Sequence, residues 1–245
     1  MAAGSVSILR GLMSEPILVG RERECQLIND LMNQRKNIAV FGDRGVGKTA
    51  IIKELLKGRN VKQVLYSGQS GTLKEALCNL VKSGKPSRTH VERQNTLALK
   101  KICYGMLVQR PEYIVFDHIA WVEPKFYAFL VYLIERELPL IIITRGLGRN
   151  TLGHLWMALY SFERVEVKNL DKPRTENLVS AYTTALGIRI EREADFNHEI
   201  FEISGGNPKI VKQLCLLAKD EKYGKKGYPD VRLMDLDRRI KESVA

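Results

Sequence analysis

The residues Phe41-Gly42-Asp43-Arg44-Gly45-Val46-Gly47-Lys48-Thr49 satisfy the spacing G-x-x-x-x-G-K-[ST] at every fixed position. Glycines at 42, 45 and 47 allow the positive φ values that turn successive N–H groups toward one anion. A helix starting at the end of such a loop points the positive end of its dipole at the same place. Lys48 adds a mobile positive charge suited to β- and γ-phosphates, and the Thr49 hydroxyl is a hard oxygen ligand of the kind Mg²⁺ prefers. The chemistry implied is the binding of a nucleotide polyphosphate and its magnesium ion by the stretch from Gly42 to Ala50. So short a pattern recurs by chance, and its flanks decide its meaning. Asn37–Phe41, apolar and β-branched, predicts a buried strand before the loop, and Ala50–Lys57 carries apolar residues at helical spacing, with Gly58 as a stop signal.

A second chemical signal is Glu112–Asp117, an apolar strand ending in a carboxylate. Such an aspartate would hold Mg²⁺ through the Thr49 hydroxyl or a water. It is expected at the carboxyl end of a strand next to the strand of the loop. Further strands are predicted at Gln63–Tyr66, Leu138–Thr144 and Arg164–Val167, with Arg145 just past the tip of the Leu138–Thr144 strand. Helices are expected between them, at about 72–81, up to about Gln109, at Phe126–Glu135 and at Leu155–Ser161. Strands and helices alternating at these lengths imply a parallel sheet covered on both faces, with a ligand at the carboxyl ends of its strands.

From Asp171 onward the pattern is helical only: Lys172–Leu186, Glu191–Ile203 and Asn207–Leu217, the last with Asn207 as a cap and Pro208 at the first helical position, then Val231–Val244. The expected organisation is a flexible segment over 1–16, an α/β phosphate-loop core over 17–170, a small helical lid over 171–220 and a C-terminal tail over 221–245.

Composition is that of an ordinary globular chain: 245 residues, 44% hydrophobic and 27% charged. No apolar run is long enough to suggest a membrane span, and residues 1–12 lack a charged region ahead of a sustained apolar segment, so no secretory signal is read. Cys25, Cys78, Cys103 and Cys215 have no C-x-x-C spacing and read as reduced thiols of a cytoplasmic protein, most of them in the core. Net charge is +11, and all of the excess lies in residues 1–110, which hold 19 Lys and Arg against 8 Asp and Glu. The densest part, Lys82–His90 and the helix after it, is expected to be a basic loop and helix that contact nucleic-acid phosphates through Lys82, Lys85, Arg88, Arg93, Lys100 and Lys101, a solvated face being the alternative.

Taken in order, Val19-Gly20-Arg21-Glu22, the phosphate loop, the Ile114–Asp117 strand, Ile141-Ile142-Ile143-Thr144-Arg145 and Gly205-Gly206-Asn207-Pro208 make the chain resemble the AAA+ and STAND group of ATPases. Its origin-recognition-like and archaeal-ATPase branches are the most similar. The resemblance covers about Ile17 to Lys219 and implies ATP with Mg²⁺ as ligands. It implies Val19 and Gly20 beside the adenine, Pro208 closing from the lid over the base or ribose, and Thr144 and Arg145 sensing the terminal phosphate. Lys48 and Asp117 complete the catalytic set.

Two positions depart from the group. His118 stands where an acidic residue that orients the attacking water usually follows the metal-binding aspartate, which implies slow hydrolysis or binding without turnover. Lys209 stands where many members have a sensor arginine, and Arg149 and Arg164 are the candidates for a residue acting on a neighbouring copy. The leading expectation is a self-assembling Mg²⁺-ATP switch that binds DNA, in transactions such as transposition or replication regulation. The alternative is a STAND-like signalling ATPase acting on a protein partner. A GTPase is disfavoured because no Asn-Lys-x-Asp signature occurs, and a small-molecule kinase because the Gly-Gly-Asn-Pro lid matches it poorly.

Overall fold

A computed structural model of the chain describes residues 17–57, 59, 64–84, 90–224 and 228–244. The expected flexible segment over 1–16, the stop at Gly58, and Lys85 and Arg88 lie outside the described residues. The elements are α1 (Glu22–Asn33), β1 (Ile38–Phe41), α2 (Lys48–Lys57), β2 (Val64–Ser67), α3 (Leu73–Gly84), a 3₁₀ turn (Val91–Arg93), α4 (Thr96–Leu107), β3 (Tyr113–Ile119), α5 (Pro124–Glu135), β4 (Leu140–Thr144), α6 (Arg149–Leu152), α7 (Leu155–Ala158) and β5 (Glu163–Glu166). The helices α8 (Lys172–Leu186), α9 (Glu193–Ser204), α10 (Pro208–Leu217) and α11 (Val231–Val244) follow.

Packing divides the chain into two compact units. The described parts of Met1–Glu22, Gly45–Ala50 and Lys168–Ala245 form one, and those of Arg23–Arg44 and Ile51–Val167 the other. The second unit holds a five-stranded sheet of order β2-β3-β4-β1-β5, every pairing parallel. Leu140, Ile141, Ile142, Ile143 and Thr144 of β4 are all buried, as an interior parallel strand requires, whereas β5 at one edge exposes Glu163, Arg164 and Glu166. At the opposite edge the Tyr66 N–H of β2 donates to Ser83 Oγ at 2.8 Å, which occupies a ladder donor that would otherwise face outward.

The apolar core of this unit runs through Leu77, Leu80, Leu99, Ile114, Phe116, Phe126, Leu130 and Ile142. Helix starts are set locally. At α3, Thr72 Oγ1 accepts from Glu75 N at 3.3 Å while Glu75 Oε2 accepts from Thr72 N at 3.3 Å and Gly71 N at 2.8 Å. Asn95 Oδ1 accepts from Ala98 N at 2.8 Å to open α4.

Three expectations are corrected here. Asp117 does not end its strand: β3 runs on to Ile119, with a register shift against β4 between Phe116 and Ile119. Nor is β3 next to the strand of the phosphate loop, because β4 lies between β3 and β1. The helix α3 runs to Gly84, so Lys82 is helical and not in a loop, and it is ion-paired with Glu92.

In the other unit, α8 to α11 enclose a core of Leu178, Tyr182, Phe196, Ile200, Val211, Leu214, Tyr223 and Met234, with Ile17 and Val19 packed on it. Asp171 Oδ1 caps α8 by accepting from Arg174 N at 3.0 Å, and Gly187 at φ +68° closes it. Asn207 caps α10, with Pro208 in its first turn, as the sequence predicts. Cys78, Cys103 and Cys215 are buried and Cys25 is half-buried; burial pushes the Cys103 and Cys215 thiols up to about 12. Among the described residues, no helix is long and apolar enough to cross a membrane.

Phe116 is fully buried in β3 and its ring lies 5.8 Å from that of Phe126. Phe116→Ala is expected to destabilise the sheet unit by about 3–5 kcal/mol, read as a lowered midpoint in urea unfolding followed by circular dichroism.

Candidate nucleotide site

In the sheet unit Gly42 follows β1, Thr144 ends β4 with Arg145 after it, and Asp117 lies inside β3, two residues before its end. Gly42 N donates to Arg145 O at 3.2 Å, and Val167 N to Phe41 O at 2.8 Å, so the chain leaving β1 is held between the chains leaving its two neighbours. Only glycine fits there: φ is +143°, and a Cβ would stand 2.1 Å from Val167 O. Asp43 and Arg44 are exposed beyond it.

Asp117 is buried, and both of its oxygens are engaged: Tyr66 Oη donates to Oδ2 at 2.5 Å and His118 Nδ1 lies 3.0 Å from Oδ1. Burial, then the hydrogen bond to Asp117 and its charge, raise the Tyr66 phenol far above its ordinary range, so it remains a proton donor to the carboxylate. His118 takes a left-handed conformation, φ +59°, at the irregularity in β3, with its imidazole exposed. Thr144 is buried, its Oγ1 donating to Gly146 O at 3.3 Å, and Arg145 is exposed.

In the helical unit, Gly45 has φ +90° and a Cβ on it would lie 2.5 Å from Asn207 Oδ1. Its carbonyl accepts from Lys209 N at 3.2 Å. Gly47 has φ +101°, and nothing lies within 4 Å of the place its Cβ would take. Lys48, Thr49 and Ala50 form the first turn of α2. A cleft of about 190 Å³ opens beside them, lined by Leu18, Val19, Gly47, Tyr182, Pro208 and Lys212 among others. Gly20, φ +72°, is buried next to Val19 and packs against Arg174. Burial pulls the Lys212 ammonium below the usual lysine range. Lys209 Nζ turns to Glu242 Oε1 of α11 at 2.8 Å.

No protein-family model matches the chain, and no curated protein matches it by sequence. Among solved structures it is similar to Cdc6p from Pyrobaculum aerophilum (TM-score 0.62, 14% identity, over 82% of this chain and 61% of that one). It is similar to the Orc1 protein of Aeropyrum pernix in complex with DNA (0.64, 14%, 90% and 66%) and to a Walker-type ATPase of Pyrococcus abyssi (0.62, 13%, 92% and 74%). The chain has the AAA+ ATPase fold. At these identities the likeness is one of fold, and the chain spans less than two thirds of the length of the first two structures.

Within this AAA+ fold the basic residues singled out by charge lie away from the loop in sequence: Arg93 in the 3₁₀ turn, exposed, and Lys100 and Lys101 on α4, half-buried and exposed. Two residues passed over at the sequence level touch candidate residues, one within each unit. Tyr66 gives no signal in the sequence, because its hydrogen bond to Asp117 depends on β2 pairing with β3. Arg21 stands in the Val-Gly-Arg-Glu motif yet is buried, its Nη2 donating to Val46 O at 2.8 Å and Lys168 O at 2.6 Å. A guanidinium spanning two carbonyls cannot be replaced by a point-charge ammonium. Arg21→Ala leaves both carbonyls without this donor and is expected to weaken binding of a fluorescent ATP analogue by about tenfold, measured by anisotropy, with Arg21→Lys failing to restore it.

Proposed function

We propose that this chain is a Mg²⁺-ATP-dependent ATPase switch of the AAA+ kind, which assembles with copies of itself and contacts DNA through the basic region around Arg93, Lys100 and Lys101. The observation that carries the nucleotide part is the loop itself: three glycines at positive φ, two of them pressed against Val167 O and Asn207, and the third bordering open space at the start of α2. That cradle fits a phosphate chain, and the apolar cleft bounded by Val19 and Pro208 fits a base.

In this reading Lys48 and the loop N–H groups hold the phosphates, and Thr49 and Asp117 hold the magnesium ion. Bound ATP supplies a terminal phosphoryl group whose departure removes negative charge from the site. In this reading Thr144 and Arg145 respond to that loss, and Asn207 and Lys209 contact Gly45 of the loop from the lid. Tyr66 keeps one oxygen of Asp117 oriented by donating to it. His118 is a weak substitute for a water-orienting carboxylate, which favours slow turnover. The DNA part draws on the charge excess of the first 110 residues and on the similarity in fold to the Orc1 protein of Aeropyrum pernix, whose structure is a complex with DNA.

Lys48→Ala is the decisive change for the site: ATP-analogue affinity is expected to fall at least about tenfold, and an unchanged affinity overturns the assignment. His118→Glu is expected to raise phosphate release by about tenfold or more if the missing carboxylate limits turnover. Wild-type turnover stimulated by DNA supports the DNA reading; turnover indifferent to DNA but altered by a protein partner supports a signalling ATPase instead.

A further inference from the structure

Lys209 meets the phosphate loop through its backbone and the C-terminal helix through its side chain. All the groups involved lie in the helical unit. The Lys209 N–H donates to Gly45 O at 3.2 Å, and a Cβ on Gly45 would stand 2.9 Å from Lys209 Cβ. The stem of the lysine therefore starts against the loop, and Lys209 lines the cleft of about 190 Å³ together with Gly47 and Pro208. Its ammonium is turned elsewhere. Nζ is held by Glu242 Oε1 of α11 at 2.8 Å.

Glu242 is a prepared acceptor. Gln213 Nε2, one turn along α10 from Lys209, donates to the same oxygen at 3.1 Å, and Arg238 Nη1 donates to Oε2 at 2.9 Å. Arg238 is itself anchored, its Nη2 donating at 2.6 Å to Asp235, a buried carboxylate. The Glu242 carboxylate is thus fixed by α11 on one side and by Gln213 on the other, while Lys209 reaches it on a long flexible stem. Of the three donors, Lys209 is the one whose backbone also touches the loop.

An ammonium rooted at the loop has two negative groups it can serve. One is Glu242. The other, on the reading that the loop holds the phosphates of ATP, is the phosphate chain, which carries more charge than a single carboxylate. Both members of the Lys209–Glu242 pair are exposed, and a pair so placed is weak enough to exchange.

We propose that Lys209 is a two-position switch: paired with Glu242 it ties the end of α11 to α10, and with ATP bound it turns to the phosphate chain and lets that end of α11 go. The switch rests on the nucleotide reading of the loop and adds to it a route by which ATP alters the C-terminal helix. The two contacts oppose each other, and the coupling is reciprocal: the factor by which the pair lowers ATP affinity is the factor by which ATP loosens α11.

The test compares ATP-analogue affinity, by anisotropy, in the full-length wild type, Glu242→Gln, Lys209→Ala and the double variant. Glu242→Gln is expected to tighten binding about threefold and Lys209→Ala to weaken it about threefold. In the double variant the Glu242 change should gain nothing, since no ammonium remains to be released. Asp237→Asn, which removes a carboxylate of the same helix paired with Lys222, should leave affinity unchanged. The second readout is α11 itself: the analogue is expected to speed amide hydrogen exchange over residues 238–242 of the wild type about threefold and to have no such effect in Lys209→Ala.

Unchanged affinity in Glu242→Gln, an equal gain with and without Lys209, or a like gain from Asp237→Asn would each overturn the switch and leave the nucleotide site in place. So would exchange in α11 that the analogue does not alter. A wild type that binds no ATP analogue would overturn the nucleotide reading and the switch with it.

Discussion

Steric exclusion at two glycines is the constraint on which the site depends. At Gly42 the backbone passes so near Val167 O, and at Gly45 so near Asn207, that no side chain fits at either position. In the sheet unit the first holds Gly42 against the exit of β5, and in the helical unit the second holds Gly45 against the cap of α10. Both glycines take positive φ values, a conformation open to glycine and strained for other residues. The shape of the loop is thus a product of packing, and the same contacts give it little freedom to relax.

Arg21 extends that logic to a charged group. A guanidinium removed from water is tolerated only when its donors are met, and the carbonyls of Val46 and Lys168 meet them at 2.8 and 2.6 Å. The result is a carbonyl of the loop, that of Val46, fixed by a buried side chain. Tyr66 plays a comparable part for Asp117, with the phenol holding an oxygen of a buried carboxylate that would otherwise be held only by nearby polar groups of its own strand and its neighbours.

Features governed by neighbours in sequence were legible in the residues alone. The runs Ile38–Phe41 and Leu140–Thr144, the cap at Asn207 with Pro208 after it, and the glycine spacing of the loop all act within a few residues. Strand order was not legible, because pairing of parallel strands joins segments tens of residues apart, and β4 sits between β1 and β3 although β3 precedes it in the chain. The irregularity at Asp117 and His118 was hidden for a related reason: apolar periodicity marks where a strand begins more clearly than where its ladder slips. The pairing of Lys209 with Glu242 was equally invisible, since it needs the start of α10 and the end of α11 to meet.

The contact between α11 and Lys209 has a consequence in solution conditions. Glu242 gathers Lys209 Nζ at 2.8 Å, Gln213 Nε2 at 3.1 Å and Arg238 Nη1 at 2.9 Å, and the Lys209 and Gln213 hydrogen bonds hold its carboxyl at about 2. A carboxyl depressed on folding stabilises the folded state fully above its unfolded pKa, and that contribution fades only as acidity carries it down toward the folded value. Mild acid therefore leaves the attachment of α11 intact. Lys209 and Glu242 are exposed, so mobile ions reach that pair, and rising ionic strength weakens it.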